Sequence, residues 1–167
     1  MRLLAIIIFI LFPFASFVHS FNGDLSLIDR LLKESLSRDK VKADRAVEKL
    51  RSLGADAIDR IFTSYAAEFK KIDSLQDLSS ATAFQKQLME LVERVSRQKY
   101  AYQSKLYWYT DLEKAKEEAR KTRNPILSLR LLGNLDDELS CANSRFFRLT
   151  LYSNSEVSGY LKQHYIL

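Results

Sequence analysis

A chain of 167 residues with 26 basic and 21 acidic side chains, net +5, has the length of one domain or of a small domain with a helical annex. Its 47% apolar and 28% charged content is ordinary globular usage, and two prolines and four glycines exclude a collagen-like or linker-dominated chain. One cysteine excludes an internal disulfide framework and any multi-thiol zinc site, and two histidines, His19 and His164, leave little for a histidine-bound metal.

Residues 1–20 read as a secretory signal peptide. Arg2 supplies a positive start, an apolar run follows over residues 3–12, and Val18-His19-Ser20 offers a cleavage site after Ser20. The run is short for a bilayer span and Pro13 disfavours a continuous helix, although an uncleaved N-terminal anchor is the alternative. The expected location is secreted or periplasmic. Cleavage would remove one charged residue, Arg2, and lower the net charge from +5 to +4. That mild excess is spread among acids, so no nucleic-acid partner is expected, and no membrane association is expected after cleavage.

From residue 25 to about residue 106 the pattern is helical. Leu25, Ile28, Leu31, Leu32 and Leu36 share one helical face, and Val41, Ala43, Ala46, Val47, Leu50 and Leu53 mark a second segment, closed by Gly54. Ile58, Ile61, Phe62, Tyr65 and Phe69 mark a third helix. After a polar break over residues 74–80, Phe84, Leu88, Leu91, Val92 and Val95 mark a fourth, read as running toward Leu106. These stripes predict a small helical bundle. Asp56, Asp59 and Glu68 read as ordinary surface carboxylates.

Near Tyr100 the texture changes. Tyr100, Tyr102, Tyr107, Trp108 and Tyr109 read as packing for a junction between two subdomains. Thr110-Asp111-Leu112-Glu113 has the form of a capping box opening a helix. Asn124-Pro125 ends that helix, and Ile126-Leu127-Ser128-Leu129-Arg130-Leu131 predicts a largely buried strand. A loop with Gly133, Asp136, Asp137 and Glu138 follows, and its adjacent acids lack the alternating ligand spacing of a calcium loop. Ser140 is expected to cap a helix that starts at Cys141, with Phe146, Phe147, Leu149 and Leu151 on its apolar side. Asn154-Ser155-Glu156 restarts a helix, and residues 164–167 read as the start of another strand.

The succession Tyr107-Trp108-Tyr109-Thr110-Asp111-Leu112-Glu113, Asn124-Pro125-Ile126-Leu127, Ser140-Cys141-Ala142-Asn143-Ser144 and Tyr165-Ile166-Leu167 resembles the front part of a thioredoxin-like domain. The likeness covers about a third of the chain, with no counterpart of that family's later strands and cis-proline. It implies a mainly α protein with a partial α/β segment: a helical subdomain over residues 21–106, then an incomplete thioredoxin-like βαβ portion over residues 107–167. Where the family carries C-x-x-C this chain has Cys141 and, at the resolving position, Ser144, whose hydroxyl cannot close a disulfide. Dithiol oxidoreductase chemistry is therefore unexpected, while mixed-disulfide exchange with a protein thiol partner through Cys141 remains open. Arg145, one turn on, is a candidate thiolate stabiliser. No cofactor and no metal are expected. The alternative is a non-enzymatic interaction or structural module that keeps only the scaffold. His164 reads as a strand-edge histidine, with no spacing that ties it to Cys141.

Overall fold

The computed structural model describes residues 27–167, so the signal-peptide and cleavage readings fall outside the described residues. The described chain is mainly helical. Helix α1 covers residues 27–35, α2 Lys40–Arg51, α3 Ala55–Ser64, α4 Ala66–Asp73 and α5 Ala83–Ser96, with one 3₁₀ turn at Leu78–Ser80. Helix α5 lies at the centre and packs against α2, α3, α4 and the short α6, Ala101–Ser104. Its buried residues Leu88, Leu91, Val92 and Val95 recur at helical spacing, and burying each such side chain is worth about 1.5–3 kcal/mol. Around them gather Leu31, Leu32, Val47, Leu50, Ile58, Ile61 and Phe69, which form the first core.

Several boundaries differ from the sequence expectations for local reasons. Helix α5 starts with a reciprocal cap: the Thr82 amide donates to Gln85 Oε1 at 2.9 Å, and the Gln85 amide donates to the Thr82 hydroxyl at 3.2 Å. It ends at Ser96 because Arg97 turns left-handed, so it stops short of Leu106. The third helix breaks at Tyr65 into α3 and α4. Val41 lies 58% exposed, outside the stripe to which its spacing assigned it. Gly54 joins α2 to α3 with φ +72°, and a Cβ there would sit 2.7 Å from the Tyr109 hydroxyl. Both facts demand glycine.

Helix α7, Leu112–Thr122, is capped by Asp111, whose carboxylate accepts from the amides of Glu113 and Lys114 at 2.9 and 3.4 Å. Thr110 was expected to cap; its hydroxyl instead accepts from Arg51. Helix α8, Ala142–Phe146, runs straight into a wide π turn, Phe147–Leu151, and α9 covers Ser155–His164. A second core joins Leu106, Trp108, Tyr152 and Leu167, with Leu127, Leu129, Phe147, Leu151 and Leu161 packed against it.

The expected βαβ portion is absent from the described residues. The segment over residues 126–131 is unbent but pairs at a single point, a parallel bridge between Ile126 and Ile166. The Leu127 amide donates to the Ile166 carbonyl at 2.8 Å, and the Ile166 amide donates to Pro125 at 3.0 Å. A ladder needs successive pairs, and the described residues show only this one. The fold is therefore helical overall, with extended tails in place of a sheet.

The two cores are joined by polar groups as well as by packing. Trp108 donates its indole N–H to Gln98 Oε1 at 2.8 Å, and Gln98 donates in turn to the Ser104 hydroxyl at 2.9 Å. The Tyr107 hydroxyl donates to the Arg51 carbonyl at 2.7 Å. Of the aromatic cluster, Tyr102 and Tyr107 are buried in the first core and Trp108 in the second.

Burial pushes the phenols of Tyr109 and Tyr152 up to about 12. In the unfolded chain a tyrosine ionises near 10, so above that value the unfolded state has lost protons that the native state keeps. Stability is therefore expected to fall as pH rises from about 10 toward about 12. Tyrosinate absorbance should consequently rise together with the loss of helical circular dichroism. Early ionisation of all eight tyrosines in a still-folded protein would contradict this.

Candidate functional site

Cys141 stands at the N-cap of α8 with extended backbone, φ −57° and ψ 161°, and is half-buried. The expectation that Ser140 caps this helix is corrected by one residue. Ser140 is buried and its hydroxyl accepts from Arg148 at 2.9 Å. Cys141 thus takes the cap position, with its sulfur facing the first turn.

The sulfur lies 3.4 Å from the hydroxyl of Ser144, which is fully buried and held in place by the helix. That hydroxyl is the largest cause of a thiol value held below the ordinary range; the amides of Ser144, Asn143 and Leu132 add to it, and desolvation opposes it. Hydrogen bonds to sulfur favour the charged form, which is why the thiolate gains. Arg145, in contrast, is exposed and its side chain makes no hydrogen bond to any described residue. It is not among the causes of the thiol's shift.

The loop over residues 132–140 brings Leu132 to the sulfur. Gly133, at φ +84°, passes within 3.5 Å of the Ser140 side chain, measured from where its Cβ would be. The loop is organised by Arg148 on the π turn. This guanidinium is 1% exposed and donates to the carbonyls of Leu135, Asp137 and Glu138 as well as to Ser140. It has no carboxylate partner among the described residues and lies 5.9 Å from the Tyr100 ring centroid. Two of the three loop acids serve the same end: Asp136 pairs with Arg97 at 3.5 Å and Glu138 with Lys99 at 3.7 Å, tying the loop to the end of α5.

Sequence reasoning missed Arg148 and the Leu132 amide. A lone arginine inside Phe146-Phe147-Arg148-Leu149 was the available signal, since a charge within an apolar run is either exposed on a turn or buried among oxygens. The apolar side expected of α8 is split by the π turn: Phe147 and Leu151 join the second core, whereas Phe146 and Leu149 are exposed.

His164 ends α9 rather than starting a strand; it is exposed, with its ring 4.5 Å from that of Tyr160. Asp56 and Asp59 lie on α3, and Asp59 pairs with Lys162 of α9. Among the described residues no group of three or more His, Cys, Asp or Glu side chains is arranged to hold a metal ion. No helix of the described residues is long and apolar enough to cross a membrane.

Comparison with family models, with curated proteins and with solved structures finds no match. The chemistry of the site rests on its own geometry. Among the described residues it offers one accessible sulfur in a ring of hydrogen-bond donors, with neither a second thiol nor a base beside it.

Proposed function

We propose that this chain acts outside the cytoplasm as a single-thiol exchange protein, with Cys141 as nucleophile. The observation that carries the reading is the buried Ser144 hydroxyl 3.4 Å from a half-exposed sulfur at a helix N-cap. The thiolate attacks one sulfur of an external disulfide. A new S–S bond forms to Cys141 and the other half leaves as a thiolate. A second external thiol then attacks the mixed disulfide and restores Cys141, with no net oxidation of the protein. Ser144 donates a hydrogen bond and supplies no sulfur.

Leu132 and Leu139, 82% and 90% exposed beside the thiol, favour a protein disulfide over a small one as the partner. The same two leucines support the second reading, a non-enzymatic interaction module that binds through this surface and leaves Cys141 inert.

Alkylation of the full chain by iodoacetamide across pH separates the two. The rate should rise with a midpoint below the free-thiol value of about 8.5. Ser144→Ala should move that midpoint upward, and Cys141→Ser should abolish exchange with a disulfide-linked peptide. A thiol that reacts only after unfolding, or exchange that survives Cys141→Ser, would leave the interaction module standing.

The same lowered value fixes the pH dependence of stability. The hydrogen bonds to the thiolate favour the native state fully above about 8.5, and that contribution fades as pH falls through the folded value.

A further inference from the structure

Cations and acids alternate through residues 30–49, and the fold separates them. Helix α2 buries Ala43, Ala46, Val47, Leu50 and Arg51. On its other side Arg38, Lys42, Arg45 and Lys49 follow one another at helical spacing, all exposed, in a single row. At a rise of about 1.5 Å per residue the row is about 16 Å long. The acids of α2 are taken up by α5: Asp44 pairs with Arg94 at 2.5 Å and Glu48 with Arg97 at 3.3 Å. Arg38, Arg45 and Lys49 have no ion pair with a described residue, and Lys42 has a loose one, 3.8 Å from Glu34 of α1.

Arg30, exposed one turn before Glu34 on the same helical face, adds a fifth cation on the α1 side. Asp39, at the foot of the row, caps α2 by accepting from the Lys42 amide at 3.2 Å, and the neighbouring Lys40 balances its charge. Five cations against Glu34 make +4, nearly the whole of the chain's net +5. The excess that looks diffuse in sequence therefore sits on one face, and the rest of the molecule is close to neutral in sum.

We infer that this face adsorbs to an anionic lipid surface, with the α2 row against the headgroups and the buried side of α2 undisturbed. Each lysine or arginine near such a surface strengthens adsorption about fivefold. The attraction reaches about 8 Å at physiological salt, so cations gathered on one face act together and distant ones do not. The shape of the face favours lipid over other anions. A small anion meets one or two cations set a helical turn apart, whereas a headgroup layer meets them all. Val41, 58% exposed within one turn of Arg38, Lys42 and Arg45, gains nothing from a polyphosphate or a sulfated sugar chain. At a lipid surface it reaches the boundary between headgroups and acyl chains, beside the apolar stems of the arginines and lysines. Leu53, 37% exposed one turn beyond Lys49, extends the same edge.

The full-length chain is sedimented with vesicles of phosphatidylcholine alone and of phosphatidylcholine mixed with phosphatidylglycerol. Binding to the anionic vesicles should exceed binding to the neutral ones by about tenfold or more at low salt, and the excess should vanish at high salt. Arg45→Glu combined with Lys49→Glu should remove about tenfold or more of anionic-vesicle binding. Lys114→Glu combined with Arg120→Glu changes net charge equally, at exposed cations of α7, and should leave that binding intact. Helical circular dichroism should match the parent chain in both. Arg45→Gln combined with Lys49→Gln, which adds no repulsion, should give an intermediate loss.

Equal binding to both kinds of vesicle overturns the inference and places attachment in the apolar run over residues 3–12. An equal loss in the α2 and α7 double variants overturns it too, because net charge alone would then be responsible. Binding to soluble polyphosphate or heparin without binding to anionic vesicles assigns the row to a chain-like polyanion instead. Cys141 alkylation tests the exchange reading separately, since no residue of this face touches the sulfur.

Discussion

Arg51→Met is expected to destabilise the protein by about 3 kcal/mol, because it strips donors from deeply buried oxygens while filling the same space. Arg51 is 7% exposed and ends α2. Its guanidinium donates to the Val95 carbonyl, to the Trp108 carbonyl at 3.2 Å and to the Thr110 hydroxyl at 3.3 Å. It also lies 5.1 Å from the Tyr107 ring centroid. Burial holds the guanidinium below its ordinary value, with Tyr107 the largest opposing influence. Arginine nevertheless stays charged at neutral pH, and the Val95 carbonyl, in the last turn of α5, is a favourable place for a cation. Replacing a buried charge by a hydrophobe is often harmless when its partner leaves with it. Two backbone carbonyls cannot leave, and each loses a donor at about 1–3 kcal/mol. A lower urea midpoint at unchanged slope would register the loss. An unchanged midpoint would show that these carbonyls find water. Arg51→Lys, which keeps charge but only a point donor, should fall between the two.

Why one half of this fold was legible and the other was not can be traced to particular residues. In the first half, Leu88, Leu91, Val92 and Val95 bury at the spacing that a solitary helix would choose, so periodicity alone located α5. In the second half, residues 126–131 have the composition and alternation of a strand, and Leu127 and Leu129 do turn inward. Composition specifies half of a pair, however, and a ladder depends on a neighbour of matching length. Residues 165–167 meet this segment at one point, the parallel bridge between Ile126 and Ile166. The position of Cys141 at a helix start was readable from Ser140-Cys141-Ala142-Asn143-Ser144. The ring of donors around its sulfur was not, because Leu132 is brought there by a loop whose course is set by Arg148, on the π turn beyond α8. Arg51 was hidden similarly. It ends an amphipathic helix with the look of a solvated C-terminal cation, and only the fold brings it under Val95 and Trp108.

Arg148→Met should cost about 2–3 kcal/mol and, more tellingly, move the thiol that Arg148 does not touch. The guanidinium gathers the carbonyls of Leu135, Asp137 and Glu138 together with the Ser140 hydroxyl, which pins the loop over residues 132–140 against the π turn. Three of these acceptors lie near the surface and can recover water, so the stability loss is smaller than the count of lost bonds implies. Geometry is harder to recover. Ser140 adjoins Cys141, and the same loop carries the Leu132 amide that reaches the sulfur. A loosened loop withdraws that amide and lets Cys141 swing from the Ser144 hydroxyl. The alkylation midpoint of Arg148→Met should therefore climb toward the free-thiol value of about 8.5, with helical content preserved. Arg148→Lys separates charge from shape. If long-range charge depressed the thiol, lysine would restore the midpoint; because a single ammonium cannot span three carbonyls and a hydroxyl, the midpoint should stay raised. A normal thiol profile in Arg148→Met would mean that α8 alone positions the sulfur, and that the loop's four-point attachment serves stability only.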